Sequence, residues 1–250
     1  MRALLVFFTV LPVAAPGSSL DDAARRAYLL PLVGLLAGLP GAGFLLLAFV
    51  APPGVAATLA LGAALLVAGL HHTDGIMDVG DALMVQGSPA RRREILKDAR
   101  TGAGAVGALF VVYGPTLAAL ATLAAYYPPW AAVALLTGEV AARSAMLLLL
   151  VVGKPATDRS SSACFVHALK EGRRRAAALI LALALPSLVA LSLGLAAVLV
   201  TFVVLVATVL FALELARRAF GGISGDASGA TGELTRAVLL VGLSIIVVGS

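Results

Sequence analysis

Three aspartates spaced by about one helical turn are the strongest chemical feature of this sequence. Asp74, Asp78 and Asp81 follow an apolar segment, and at 3.6 residues per turn they share one face of a helix. Carboxylates this close repel one another unless a cation lies among them. Oxygen ligands suit a hard ion, so the spacing predicts a site for Mg²⁺, or alternatively Mn²⁺, that His72 could tune or join. A solvated acidic helix end is the competing interpretation.

A basic segment follows the aspartates and is predicted to form a short helix. Ser88 and Pro89 are typical of a helix start. The charged side chains that follow are Arg91, Arg92, Arg93, Glu94, Lys97, Asp98 and Arg100. By itself this pattern favours a solvated helix with charge pairs one turn apart. Beside an acidic metal site, however, such basic groups could hold phosphates that the metal bridges.

Two further segments carry weaker signals. Glu139 and Arg143 lie four residues apart and are the only charges expected deep within an apolar segment. Charges inside a membrane are functional candidates, and a structural pair that locks helix packing is an equal alternative. The glycine-rich residues 220–229 could wrap a phosphate or a bulky ligand. Cys164 and His167 are interpreted as a packing residue and a surface residue.

The composition requires a solvent that is largely lipid. Of 250 residues, 61% are hydrophobic and only 12% are charged, whereas a soluble domain is about 25% charged. The single cysteine excludes a disulfide framework or a cysteine-based zinc site within one chain. The net charge of +5 is interpreted as topological and not as a sign of nucleic-acid binding, because the basic residues flank apolar segments.

Seven apolar segments are predicted to cross the membrane, since a spanning helix needs about 20 mostly apolar residues. They cover residues 28–50, 55–70, 104–126, 130–152, 177–193, 196–213 and 237–248. The N-terminal residues 1–13 are predicted to form an interfacial or re-entrant segment. We therefore predict an all-α polytopic helix bundle, built as a single integral membrane domain over residues 1–250.

The basic residues indicate how this bundle is oriented. They lie before the first span or between alternate spans, at Arg25, Arg26, Arg91, Arg92, Arg93, Lys97, Arg100, Lys154, Arg159, Lys170, Arg173, Arg174, Arg175, Arg217, Arg218 and Arg236. The three turns on the opposite side carry no charged residue. By the positive-inside rule the charged side faces the cytoplasm. The active-site loops are thus expected on the cytoplasmic side of the cell membrane.

Taken in order, these segments resemble the cobalamin synthase family, also called adenosylcobinamide-GDP ribazoletransferases. Residues 72–81 resemble its His-x-Asp-Gly-x-x-Asp-x-x-Asp signature, and residues 94–102 resemble its Glu-x-x-x-Asp-x-x-x-Gly stretch. Arg143 matches an arginine of a central span, and residues 221–226 resemble a C-terminal Gly-Gly-x-x-Gly-Asp motif. The likeness covers nearly the whole chain. At residues 160–165 the sequence differs from the family pattern.

The resemblance implies a membrane transferase of late cobalamin biosynthesis. Its donor would be adenosylcobinamide-GDP and its acceptor alpha-ribazole or alpha-ribazole 5′-phosphate, with release of GMP and formation of adenosylcobalamin or its 5′-phosphate. The resemblance implies that Mg²⁺ is the cofactor, held by Asp74, Asp78 and Asp81, which act in catalysis with His72. It implies substrate contacts at Glu94, Asp98, Arg100, Gly102, Arg143, Gly225, Asp226 and Glu233. Nucleic acid is not expected as a partner, and a homo-oligomer is left open.

Two other classes of protein are alternatives. A CDP-alcohol phosphotransferase also places acidic metal ligands at a membrane helix end, but its pattern needs Ala-Arg soon after Asp-Gly. Here Asp74-Gly75 is followed by Ile76-Met77-Asp78, which argues against that class. A small membrane transporter would place polar residues along its spans. Most charges of this chain lie between the predicted spans instead.

Overall fold

A computed structural model of the protein describes residues 1–14, 16–98, 100–158 and 160–249. Arg159, one of the basic residues used to orient the bundle, and Ala99, within the second motif, lie outside the described residues. In the described ranges the chain forms twelve α-helices and no β-strand longer than an isolated bridge. They are α1 Arg2–Phe8, α2 Leu20–Arg25, α3 Leu30–Leu45, α4 Pro53–Val67, α5 His71–Met84, α6 Pro89–Ile95, α7 Ala103–Tyr126, α8 Pro128–Val152, α9 Ser161–Ala168, α10 Gly172–Ala190, α11 Leu195–Phe220 and α12 Gly225–Val248.

Six helical segments of the described chain are long and apolar enough to cross a membrane. They are Ala27–Phe49, Ala103–Tyr126, Pro128–Val152, Gly172–Leu193, Leu195–Phe220 and Gly225–Val248. Helices α4 and α5 pass the same test only as a pair; they meet at a bend of 94°, which is the geometry of a broken seventh span or of a re-entrant loop. The prediction of an all-α polytopic bundle with about seven spans is confirmed. That residues 1–250 form a single domain stays a prediction.

The bend between α4 and α5 corrects the second predicted span. Residues 55–70 do not form one straight helix, because α4 ends at Val67. The backbone turns at Gly69 and Leu70, which adopt left-handed φ angles of 74° and 60°. The chain then continues as α5, so the three aspartates lie on the second helix of this bent pair instead of following a complete straight span.

The last span also differs from its prediction. It begins at Gly225 and not at residue 237, and its polar first half packs against α5, α7 and α8. Glu233 and Arg236 are therefore buried in the bundle, each only 1% exposed. The expectation that Glu139 and Arg143 would be the only charges deep within a span is wrong. A hydropathy pattern assigns such residues to a loop, because it does not register the partners that neutralise them.

Helix α8 lies at the centre of the bundle. Every residue from 137 to 150 is buried, and α8 packs against α3, α10, α11 and α12. The approach of α3 depends on Gly34, where a Cβ atom would collide with the Glu139 carbonyl oxygen. In contrast, α7, α10 and α11 leave large apolar side chains exposed, including Phe110, Ile180 and Leu195. Such a surface requires contact with lipid.

The short helices form a layer on the charged side of the bundle. The Cys164 thiol of α9 donates to the Asp21 carboxylate of α2 at 3.0 Å, and Arg93 of α6 donates to the Phe220 carbonyl at the end of α11 at 2.6 Å. Partial burial raises the pKa of the Cys164 thiol to about 11, and the neighbouring Asp21 acts in the same direction. The layer thus braces the ends of helices that are far apart in sequence.

Candidate active site

Carboxylates of α5 and of the first turn of α12 lie close together. We call Asp74, Asp78 and Asp226 the acidic centre. Asp74 is exposed and Asp78 half-buried on the predicted helical face. Asp226 of α12 lies beside them, because a Cβ atom at Gly75 would come within 2.7 Å of the Asp226 carbonyl oxygen. Asp78 interacts electrostatically with Asp74, Asp226 and Asp81. The tertiary structure therefore adds Asp226 to the carboxylates that the sequence groups on one helix.

Asp81 has a different environment from the other two aspartates of α5. Its Oδ2 accepts the Gly102 N–H at 2.7 Å, and its Oδ1 accepts the Ala105 N–H at 2.8 Å. Gly102 is the N-cap of α7 and supplies no side-chain cap of its own. Asp81 thus satisfies two of the free donors at the start of α7. Its role as a metal ligand stays a prediction.

A cavity of about 340 Å³ opens over the acidic face of α5. We call it the acidic cavity; its lining includes Asp74, Met77, Asp78, Asp81, Lys97, Asp98, Arg100 and Thr101. Arg100 pairs with Asp98 at 2.7 Å and holds the pKa of that carboxyl down at about 2. Glu94 pairs with Arg91 and does not line the cavity. Its predicted substrate contact stays a prediction.

The donor set of the acidic centre fits Mg²⁺ only if a ligand completes the coordination. Over the described ranges, no group of three or more His, Cys, Asp or Glu side chains is arranged to hold a metal ion. Magnesium commonly takes one or two carboxylates and fills its other positions with water and substrate phosphate oxygens. Asp74 and Asp78, one turn apart on the cavity wall, are a donor pair of this kind.

Behind the acidic centre, α8 and α12 are joined by two buried acids and two buried arginines. Glu139 contacts Arg143 on its own helix and accepts from Arg236 of α12 at 2.8 Å, and Arg236 also pairs with Glu233. Mutual pairing offsets the cost of burying these charges. The Nε and Nη2 atoms of Arg143 have no hydrogen-bond partner within the described chain. The predicted substrate contacts of Arg143 and Glu233 stay predictions, since both side chains are enclosed in the free protein.

The buried charges are linked to α5 through polar side chains. Tyr113 of α7 donates to Glu233 at 3.2 Å, and its hydroxyl lies 2.7 Å from that of Thr73. His72 is buried, with Nδ1 at 4.0 Å from the Glu233 Oε1 atom. Tyr113, Thr73 and Arg236 were not predicted from the sequence to be residues of the site. A polar aromatic residue inside an apolar span was the available signal for Tyr113.

A second cavity, of about 410 Å³, lies on the α12 side of the acidic centre. We call it the aromatic cavity; it is lined by Phe7, Phe8, His71, His72, Met146, Leu150, Ser161, Ser162, Phe165, Gly225, Asp226 and Ser228. Its rings form a connected wall, with Phe165 centroids 5.6 Å from Phe7 and 5.8 Å from Phe8. Because Asp226 and His72 line it, this cavity adjoins the acidic centre.

The glycine-rich motif builds the turn that positions Asp226. Gly221 ends α11 with a left-handed φ of 75°, and a Cβ atom at Gly222 would come within 2.7 Å of the Lys154 carbonyl oxygen. Ile223 then donates to that same oxygen at 2.8 Å. Ser224 caps α12 by accepting the Ala227 N–H at 3.1 Å. The motif therefore acts through its backbone, which holds Asp226 beside α5.

Comparison with known proteins identifies the family. The protein-family model described as cobalamin-5-phosphate synthase matches residues 1–244. The chain belongs to the cobalamin-5-phosphate synthase family. This confirms the resemblance predicted from the motifs, and with it the predicted class of enzyme, a ribazoletransferase.

Curated relatives of this synthase carry a consistent name. Proteins called adenosylcobinamide-GDP ribazoletransferase from Methanocella arvoryzae, Azorhizobium caulinodans and Thermoplasma volcanium are 32%, 34% and 30% identical to it. The alignments cover 96%, 97% and 98% of this chain and 93%, 94% and 90% of the relatives. No solved structure matches the synthase. The likeness therefore extends over the whole bundle and is not confined to one motif.

Proposed function

We propose that this protein transfers the phosphocobinamide group of adenosylcobinamide-GDP to alpha-ribazole or alpha-ribazole 5′-phosphate at the acidic centre, and that it does so in the cytoplasmic membrane. The observation that carries the proposal is the acidic cavity. Asp74 and Asp78 line this cavity together with the cationic side chains of Lys97 and Arg100. An anionic diphosphate held through a divalent cation needs both kinds of group.

The reaction is a phosphoryl substitution. A sugar hydroxyl of the acceptor forms a bond to the phosphorus atom that carries cobinamide, and the bond from that phosphorus to the bridging oxygen breaks. GMP leaves with the bridging oxygen, and the hydroxyl proton goes to a base. The products are adenosylcobalamin, or its 5′-phosphate, and GMP. Catalysis of this type depends mainly on positioning and on stabilising negative charge.

The side chains of the site are assigned roles by their position. Asp74 and Asp78 would hold Mg²⁺, which when bound supplies positive charge against the diphosphate oxygens. Lys97 and Arg100, which line the same cavity, hold the same phosphates. Arg100 then gives up its ion pair with Asp98 and contacts the ligand instead. His72 accepts the hydroxyl proton, because it lines the aromatic cavity beside Asp226 while its Nδ1 is oriented towards the buried Glu233.

The test is the substitution Asp78→Asn. It removes one negative charge but keeps the shape of the side chain, so we expect at least about a 100-fold loss of kcat. The variant should also need a higher Mg²⁺ concentration for half-maximal activity. Activity is measured as GMP release in detergent-solubilised membranes with adenosylcobinamide-GDP and alpha-ribazole 5′-phosphate. EDTA should abolish turnover of the unaltered protein, and Mg²⁺ should restore it.

The matched control is Glu171→Gln, which neutralises a carboxylate of the charged side outside both cavities. It should retain full activity. Normal Mg²⁺-dependent turnover by Asp78→Asn would refute the assigned centre. Turnover of CDP-activated alcohols, without turnover of adenosylcobinamide-GDP, would favour the CDP-alcohol phosphotransferase alternative.

A further inference from the structure

The aromatic cavity contains a buried hydroxyl with no partner, which is a feature of a binding site. Ser228 on α12 is 4% exposed, and its Oγ atom has no hydrogen-bond partner among the described residues. Leaving a buried polar group unsatisfied is energetically unfavourable. A ligand that accepts a hydrogen bond from Ser228 would remove this cost. The volume of about 410 Å³ is within the usual range of small-molecule sites.

The walls of the aromatic cavity favour the binding of a ligand with a flat apolar ring. Phe7, Phe8 and Phe165 contact one another with interplanar angles of 48° to 70°, so they offer both ring faces and ring edges. Met146 and Leu150 of α8 complete an apolar wall. Aromatic ligands gain from such contacts beyond the area that they bury. The polar residues of the cavity come from three helices: His71 and His72 from α5, Ser161 and Ser162 from α9, and Asp226 and Ser228 from α12.

We propose that the aromatic cavity binds the benzimidazole base of the acceptor nucleoside, with Ser228 donating to its one unsubstituted ring nitrogen. The inference rests on the proposed function. The base is flat and carries one acceptor nitrogen, which matches an aromatic wall beside the buried, unpartnered hydroxyl of Ser228. A base held there would direct its sugar towards Asp226 and His72, where the hydroxyl must react.

The guanine of the donor is the competing occupant, since it is also flat and Ser161, Ser162 and Asp226 line the cavity. We favour the benzimidazole base because most of the cavity surface is apolar, and burying the many polar groups of guanine against such a surface is unfavourable. The donor then binds through its diphosphate at the acidic cavity, and a rise in the donor KM would identify guanine as the occupant instead.

The test separates the Michaelis constants of the two substrates. Ser228→Ala should raise the KM for alpha-ribazole about 2–10-fold, because one hydrogen bond is lost, and should leave the KM for adenosylcobinamide-GDP unchanged. Phe165→Leu should raise the acceptor KM by a similar factor. The matched controls are Ser144→Ala, another buried hydroxyl without a partner but outside the cavity, and Phe110→Leu on the lipid-facing surface of α7. Both controls should keep the KM values of the unaltered protein for both substrates.

Each outcome is decisive. If Ser228→Ala leaves the acceptor KM unchanged and only stabilises the protein, as Ser144→Ala should, the hydroxyl is an unsatisfied core group and the inference is wrong. If the donor KM rises instead, the cavity binds the donor, and the inference is again wrong. In both cases transfer by the unaltered protein upholds the proposed function, whereas absence of transfer by the unaltered protein refutes the function itself.

Discussion

At the scale of single residues, three identical side chains on one helix have different surroundings. Asp74 is exposed to the acidic cavity, and Asp78 is half-buried beside Asp226. Asp81 instead accepts two backbone N–H groups at the start of α7. A carboxylate that already serves as a helix cap is held in one orientation. The first two aspartates are therefore the better candidates for metal ligands.

Asp81→Asn distinguishes the capping role from the metal-ligand role. An amide keeps one acceptor oxygen but loses the second, so we expect the free energy of unfolding to fall by about 1 kcal/mol. The Mg²⁺ concentration for half-maximal activity should stay unchanged, in contrast with Asp78→Asn. Thermal unfolding in detergent and a Mg²⁺ titration of activity measure the two effects. A raised Mg²⁺ requirement at unchanged stability would instead support the sequence-based prediction that Asp81 binds the metal.

At the scale of elements, the site depends on how closely three helices approach one another. Gly75 of α5 lies against the first turn of α12, and Gly80 lies against α7, where a Cβ atom would come within 2.6 Å of the Gly104 carbonyl oxygen. These glycines let polar backbone at two helix starts approach α5. This close packing brings Asp226 of α12 beside α5. It also allows Asp81 of α5 to cap the start of α7.

Gly75→Ala tests this packing. The added methyl group must displace the Asp226 backbone, so we expect activity to fall at least about 10-fold, since small misplacements of reacting groups are costly. Gly107→Ala is the control, because it makes the same change in α7 where no atom lies within 4 Å. It should keep full activity and gain up to about 1 kcal/mol of stability from helix propensity. Equal activity of the two variants would show that Gly75 does not set the position of Asp226.

At the scale of the whole molecule, the bundle separates an apolar belt from a charged layer. Large apolar side chains cover the outer faces of α7, α10 and α11. The short helices, both cavities and most charges lie together at one end. The positive-inside rule predicts that this end faces the cytoplasm. Substrates would then reach the centre from the compartment where nucleotides are made.

The single cysteine makes this orientation testable. Cys164 should react with a membrane-impermeant maleimide in inverted vesicles but not in right-side-out vesicles. In a Cys164→Ala background, Ser192→Cys should give the opposite pattern, because Ser192 lies exposed at the turn between α10 and α11. Labelling of Cys164 from the outer side would reverse the predicted orientation.

The pH dependence of maleimide labelling tests the raised pKa of the Cys164 thiol. With a pKa of about 11 the Cys164 thiol is almost wholly protonated at neutral pH, and the thiolate is the species that reacts. Its labelling rate should therefore rise about tenfold per pH unit from pH 7 to pH 9. A cysteine at position 192, with a pKa near the ordinary value of about 8.5, should approach its plateau over the same interval. A plateau for Cys164 below pH 9 would contradict the raised pKa.

The sequence by itself determined the class of fold, the approximate number of spans and the family. Apolar runs of sufficient length must cross a bilayer as helices, and the 3.6-residue period places Asp74, Asp78 and Asp81 on one face. These are properties of neighbouring residues, so they can be inferred without knowing the packing. The motifs that identify the family are likewise continuous stretches of the chain.

Only the tertiary structure decided which groups meet. It brought Asp226 beside Asp74, fixed Asp81 as a helix cap, and enclosed Glu233 and Arg236 within the bundle. Burial of a charge depends on partners from other helices, and a pattern along one helix does not contain them. The aromatic cavity is also formed by side chains of α1, α5, α8, α9 and α12. Long-range packing created that cavity, because no single segment holds enough of its wall to predict it.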